Sequence, residues 1–171
     1  MQNDKSPTKQ NNVILGIDPG STTIGYGLIA YEHRVLKPKV LDYGYIDLKG
    51  YKKQEEKLLH LNKDLKYIFK KYKPDFLAIE NIYFFKNAKT FTAVSEAKGV
   101  ILLAAAEAKT QINEYTPLQV KQTISGYGKA TKKIIEKLIQ SSLDIRSSIK
   151  PDDSSDALAI ALCHYHHLRN V

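Results

Sequence analysis

The spacing of hydrophobic and polar positions changes several times along the chain, and each change predicts an element. A polar opening, MQNDKSPTKQNN, gives way at Val13 to VILGID, an apolar run of strand length ended by Pro19-Gly20. This predicts a strand with Asp18 at its C-terminal tip. Residues 24–31 and the Val-, Leu-, Tyr- and Ile-rich stretch 35–48, broken near Lys37-Pro38, predict two more strands. No helix separates the three, so neighbours run antiparallel. From residue 52 to 72 the apolar positions Leu58, Leu61, Leu65, Ile68 and Tyr72 recur three or four apart with lysines on the other faces, the pattern of an amphipathic helix. Pro74 stops it. DFLAIE then reads as a buried strand ending on Glu80, and the helical crossover makes it a parallel partner of the first strand.

Residues 88–108 are Ala-rich with a broad apolar face through Val94, Ala97, Ile101 and Ala104, which predicts a second helix, followed by a strand at 111–115. Thr116-Pro117-Leu118-Gln119 announces a third helix, with Thr as N-cap, Pro in the first turn and Gln three residues after the cap. Gly126-Tyr127-Gly128 is a turn into a helix at about 131–140, and a last helix spans about 153–167, entered through Lys150-Pro151. The order is that of an α/β protein with a five-stranded mixed sheet flanked by helices. Residues 1–12 are expected as a flexible polar tail and 13–171 as a single domain.

Charge adds a partner class. The 171 residues carry 26 Lys+Arg against 18 Asp+Glu, a formal net charge of +8, which favours a polyanionic partner through counterion release. One cysteine, Cys163, rules out an intramolecular disulfide and a Cys-based zinc site. With no run approaching the roughly 20 apolar residues of a membrane span, and no signal-like opening, the expectation is a cytoplasmic protein without membrane association.

The candidate chemistry is acidic. Asp18 and Glu80 end neighbouring strands at the same side of the sheet, and Asp153 and Asp156 share one face of the last helix by their spacing of three. Carboxylates crowded together repel unless neutralised, and a hard divalent cation with oxygen ligands does so. Two such ions would activate a water and stabilise the leaving oxygen of a phosphodiester. Each residue also has a plainer reading: Asp18 shapes a turn, and Asp152, Asp153 and Asp156 cap a helix. Glu80, closing a buried strand, needs a partner.

Four segments, ILGIDPGSTTIGYGLI, IENIYFFKNAKT, TPLQVKQTISGYGKATKK and PDDSSDALAIALCH, together resemble the RuvC family of Holliday-junction resolvases, in order and over nearly all of residues 13–167. The resemblance implies a ribonuclease-H-like fold and a homodimer whose subunits each nick one of two symmetry-related strands of a four-way DNA junction, leaving 5′-phosphate and 3′-hydroxyl ends. It implies a catalytic and metal-binding set of Asp18, Glu80, Asp153 and Asp156, with two Mg²⁺ per site or Mn²⁺ in their place, and branch-migration motor proteins as partners. It places Lys121 and Lys132 near the scissile phosphate and Tyr83 against an unpaired junction base. Phe84 or Phe85 is the alternative to Tyr83 for that stacking, and Phe84 and Lys86 are expected on the same DNA-binding surface. Glu96 and Ser154-Ser155 depart from the usual family residues, a neutral Gln and Ala-Ala.

Two lysine-rich stretches, residues 49–73 and 119–137, hold most of the excess charge; the first is expected to be a solvated helix face. Histidines 164, 166 and 167 are expected to interact with the dipole of the last helix rather than with zinc. The alternatives are a catalytically silent junction-binding protein, a related nuclease acting on RNA, and an ATP-binding protein of the actin and sugar-kinase type suggested by IDPGSTTIG. The last needs a second phosphate loop and a duplicated domain, for which 171 residues leave no room.

Overall fold

The computed structural model describes residues 12–32, 37–81 and 88–169, with the side chains of Ala88 and Lys89 excepted. Strands β1 (Asn12–Asp18), β2 (Thr23–Tyr31) and β3 (Lys39–Asp47) form the meander. Helix α1 (Gln54–Tyr72), strand β4 (Phe76–Glu80), helix α2 (Ala88–Glu107) and strand β5 (Gln111–Tyr115) follow, then helices α3 (Pro117–Ser125), α4 (Lys132–Leu143) and α5 (Asp152–Arg169). The sheet order is β3-β2-β1-β4-β5; β2 is antiparallel to β1 and β3, while β4 is parallel to β1 and β5.

Both faces of the sheet are covered, which is why β1 reads as an unbroken apolar run instead of an alternating one. Leu15, Ile17, Leu77 and Ile79 point to α1 and α2, where they meet Leu61, Leu65 and Ile101. Ile14 and Ala78 point the other way, onto α3, α4 and α5 through Val120, Ile139 and Ala161. Burying each such Leu or Ile contributes about 1.5–3 kcal/mol. By the same alternation Asp18 and Glu80, two residues beyond Gly16 and Ala78, lie on the α5 face. The crossover is tied at its end, where β4 begins: Asp75 accepts from the Val13 N–H through Oδ2 (2.8 Å) and donates its own N–H to the Val13 carbonyl (2.9 Å).

Local signals hold where the residues supply a physical device. The capping box on α3 is complete, with Gln119 N–H donating to Thr116 Oγ1 at 3.0 Å and Thr116 N–H to Gln119 Oε1 at 2.8 Å. Thr131 caps α4 through the Ile134 N–H. Boundaries move elsewhere. The third strand runs from Lys39, directly after the break expected near Lys37-Pro38; residues 35 and 36 lie outside the described residues. Helix α4 runs on to Leu143, whose burial with Ile135 and Ile139 continues the apolar stripe past Gln140. Helix α5 starts at Asp152 and ends at Arg169.

The histidine expectation needs a larger correction. His164 is 3% exposed, its Nδ1 lies 2.7 Å from the Tyr115 hydroxyl, and burial followed by His167 pushes its pKa down to about 4. It is a neutral core residue bridging α5 to the end of β5. Burial also drives the Tyr115 hydroxyl up to about 12, so the pair stays uncharged at neutral pH.

Candidate active site

Strand register sets the first two acids side by side. β1 and β4 pair through Ile17 and Ile79, so the next residue on each strand, Asp18 and Glu80, leaves the sheet at the same edge and on the same face. The chain just past Glu80 is fixed: Asn81 N–H donates to the Tyr115 carbonyl at 2.7 Å, and Lys98 of α2 reaches Asn81 Oδ1 (3.3 Å) and Glu114 (2.7 Å). Lys98 is a supporting residue that sequence reasoning did not single out. Glu96, on the opposite side of α2, accepts from Gln54 of α1 at 2.7 Å.

The other two acids arrive because α5 lies unusually close to the sheet. A Cβ on Gly16 would stand 2.1 Å from the Ala157 carbonyl oxygen, and one on Gly25 would stand 2.0 Å from that of Asp153. Gly27 is likewise pressed by Leu158. Gly25 is the cross-strand neighbour of Asp18 and Gly27 that of Gly16, so one patch of bare backbone receives the helix. Only glycine permits this approach. It sets the first turn of α5, with Asp153 and Asp156, over the tip of β1.

Electrostatics record the crowding. Asp18 is pushed up from 3.8 to about 7, by burial first and then by Glu80, Asp156 and Asp153, with Lys132 opposing. Glu80 is also raised, by burial and then Asp156, against Lys121 and Lys132. Lys132 Nζ donates to Asp156 Oδ2 at 3.1 Å, and this bond raises the lysine's own affinity for its proton. Asp152 is separated from the group: its side chain is 83% exposed, 4.0 Å from Lys132, and it does not act on Asp18. Of the two adjacent aspartates, Asp153 is the one among the charges that act on Asp18.

Lys121 and Lys132 line a pocket of about 280 Å³ with Glu80, Asp156, Val120 and Ile135, so the two expected DNA-binding lysines do border the acids. Tyr83, Phe84, Phe85 and Lys86 lie outside the described residues. The lysines of α1 are on the opposite side of the sheet, across from α5.

The donor set fits a hard divalent cation: carboxylate oxygens only, mutually repelling and partly buried. Among the described residues no three such side chains are drawn together tightly enough to grip an ion as they stand, and Lys132 supplies the countercharge at Asp156. Cys163 and His167 offer no rival centre, since His167 Nδ1 is engaged by the Cys163 carbonyl at 2.9 Å.

The raised Asp18 has a consequence for stability without metal. A folded-state pKa above the unfolded one favours the fold fully below about pH 3.8, and that contribution is lost as pH rises through about 7. Asp18→Asn is therefore expected to raise Tm in EDTA at pH 8 by about 5 °C, on the order of 2 kcal/mol after allowing for solvent that reaches the carboxylate. The gain should vanish near pH 4 in thermal melts; a lower Tm for the variant at pH 8 would contradict the crowding.

Comparison with known proteins bears on this geometry. The family model described as Crossover junction endodeoxyribonuclease RuvC matches residues 14–164. The chain belongs to the RuvC family. RuvC of Caldicellulosiruptor saccharolyticus is 47% identical over 88% of this chain and 90% of its own length, and that of Halothermothrix orenii 45% over 89% and 91%. The structure of Thermus thermophilus RuvC in complex with Holliday junction substrate superposes with a TM-score of 0.87 at 30% identity, covering 93% of this chain and 96% of that one. The sheet and helices are thus the ribonuclease-H-like fold of the RuvC enzymes.

Proposed function

We propose that this RuvC-family protein is a structure-specific endonuclease that resolves four-way DNA junctions in recombination and repair by metal-dependent phosphodiester hydrolysis. The observation that carries this is the convergence of Asp18, Glu80, Asp153 and Asp156 at one sheet edge inside a protein of net charge +8. The match to relatives named crossover junction endodeoxyribonuclease supports the substrate.

The four carboxylates would hold the metal, proposed as two Mg²⁺, with Mn²⁺ able to replace them. Bound there, the ions supply an activated water and neutralise charge on the leaving oxygen. Asp18 and Glu80 are fixed by the strands and Asp153 and Asp156 by the helix, so the donor groups are held on rigid elements before substrate arrives. Lys121 and Lys132 bind phosphate oxygens on the α3–α4 side and orient the strand without reading bases. Lys132 exchanges its bond to Asp156 for a phosphate, which frees that carboxylate for metal. Hydrolysis forms a bond from water oxygen to phosphorus and breaks the bond to the 3′ oxygen, leaving 5′-phosphate and 3′-hydroxyl ends. One site nicks one strand, so resolution needs two sites related by a twofold axis, hence a homodimer. Tyr83, Phe84 and Lys86 are proposed as contacts to the junction centre, motor proteins of branch migration as partners, and the cytoplasm as the location.

The test is cleavage of a labelled four-way junction beside a linear duplex, with Mg²⁺, Mn²⁺ or EDTA. Metal-dependent nicks on the junction alone are expected. Tight junction binding without cleavage would make this a binding protein, and preferred cleavage of an RNA strand would make it a different nuclease.

A further inference from the structure

The pocket bordered by Lys121 and Lys132 lies on only one side of the carboxylates. On the other side the sheet continues to its edge strand. Asp18 pairs with Gly25 and Gly25 with Tyr45, so the three form one row across β1, β2 and β3 on the α5 face. The Asp153 carbonyl sits over Gly25 in the middle of that row. Two strand spacings put Tyr45 about 10 Å from Asp18.

Beyond Asp153 the helix ends and a shallow groove opens, lined by Tyr45, Lys150, Pro151, Asp152 and Asp153. Tyr43, two residues earlier on the same face, packs into the core beneath α5. Tyr45 does not: it is 49% exposed, at the rim of the acidic site. Lys150 beside it is exposed as well. A large aromatic ring and a cation at this position match the two recognition elements of a nucleic-acid strand, stacking or sugar contact and phosphate neutralisation.

We propose that Tyr45 and Lys150 form a second strand-positioning site, which holds the cleaved DNA strand on the β3 side of the scissile phosphate while Lys121 and Lys132 hold it on the α3–α4 side. The span of about 10 Å corresponds to about three nucleotides at the axial rise of ~3.4 Å per nucleotide on one strand. The ring packs on a sugar or base there, and the Lys150 ammonium meets a neighbouring phosphate. A strand gripped on both flanks cannot slide over the carboxylates. This rests on the reading of the site as one that cuts DNA.

The test measures four-way-junction affinity in EDTA by fluorescence anisotropy, and kcat and KM in Mg²⁺, for wild type, Tyr45→Ala, Tyr45→Phe and Lys150→Ala. Tyr45→Ala is expected to weaken binding about fivefold or more and to raise KM more than it lowers kcat. Tyr45→Phe, which keeps the ring, should stay within about twofold of wild type. Lys150→Ala should reduce the slope of log affinity against log salt by about one. Tyr45→Ala indistinguishable from wild type, or Tyr45→Phe as defective as Tyr45→Ala, overturns the proposal. Wild type that neither binds nor cuts the junction overturns instead the reading beneath it.

Discussion

Asp153→Asn should lose junction cleavage by about 10³-fold or more while still binding the junction in EDTA at least as tightly as wild type. The first effect follows from removing a charged oxygen donor from a site whose transition-state stabilisation is worth several kcal/mol, at a factor of ten per 1.36 kcal/mol. The second follows from sign. Asp153 is one of the charges that push Asp18 up to about 7, so removing it lowers the negative potential that a phosphate meets. Asp152→Asn, one residue away, should cleave within a few-fold of wild type, because the Asp152 side chain is exposed and faces Lys132 instead. Strand cleavage and anisotropy on the same preparations check both. Equal loss in the two variants would refute the separation of the adjacent aspartates.

Gly25→Ala should be nearly as damaging, although glycine has no chemistry. Its new Cβ would lie 2.0 Å from the Asp153 carbonyl oxygen, which is backbone and cannot rotate away. The first turn of α5 must lift, and with it Asp153 and Asp156. Overpacking of this kind costs about 1–3 kcal/mol, or roughly 2–12 °C in Tm for a chain of this size. A displacement of about 1 Å at the reacting groups costs on the order of 10²-fold in rate. Gly50→Ala, with nothing within 4 Å, is the matched control and should melt and cleave like wild type. Gly25→Ala with full activity would mean that the seating of α5 does not set the site.

The acids were legible in the sequence because strands buried on both faces are apolar to their ends, so an Asp or Glu closing such a run stands out. The family resemblance, together with the spacing of three to Asp156, singles out Asp153 over Asp152, and Asp153 is among the charges that act on Asp18. What could not be read was why the last helix comes so near. Gly16, Gly25 and Gly27 look like weak points of strands until register puts them in one patch under Ala157, Asp153 and Leu158. The signal was there, as glycines at alternate positions facing a helix with small residues at 157 and 161. The role of His164 is not legible for a related reason. Its partner Tyr115 is 49 residues away, and nothing in the local pattern near a helix end announces a buried hydrogen bond. The extra length of α4 is hidden because Leu143 lies beyond two serines, yet it completes the buried stripe of Ile135 and Ile139.

The measurement that bears most directly on the account is mapping and religation of the products from a four-way junction labelled in turn on each strand. Two nicks at symmetry-related positions, with 5′-phosphate and 3′-hydroxyl ends that DNA ligase seals without further treatment, are predicted in Mg²⁺ and absent in EDTA. A nick confined to one strand, ends that ligase cannot join, or equal cutting of a linear duplex would contradict junction resolution by a pair of these carboxylate sites.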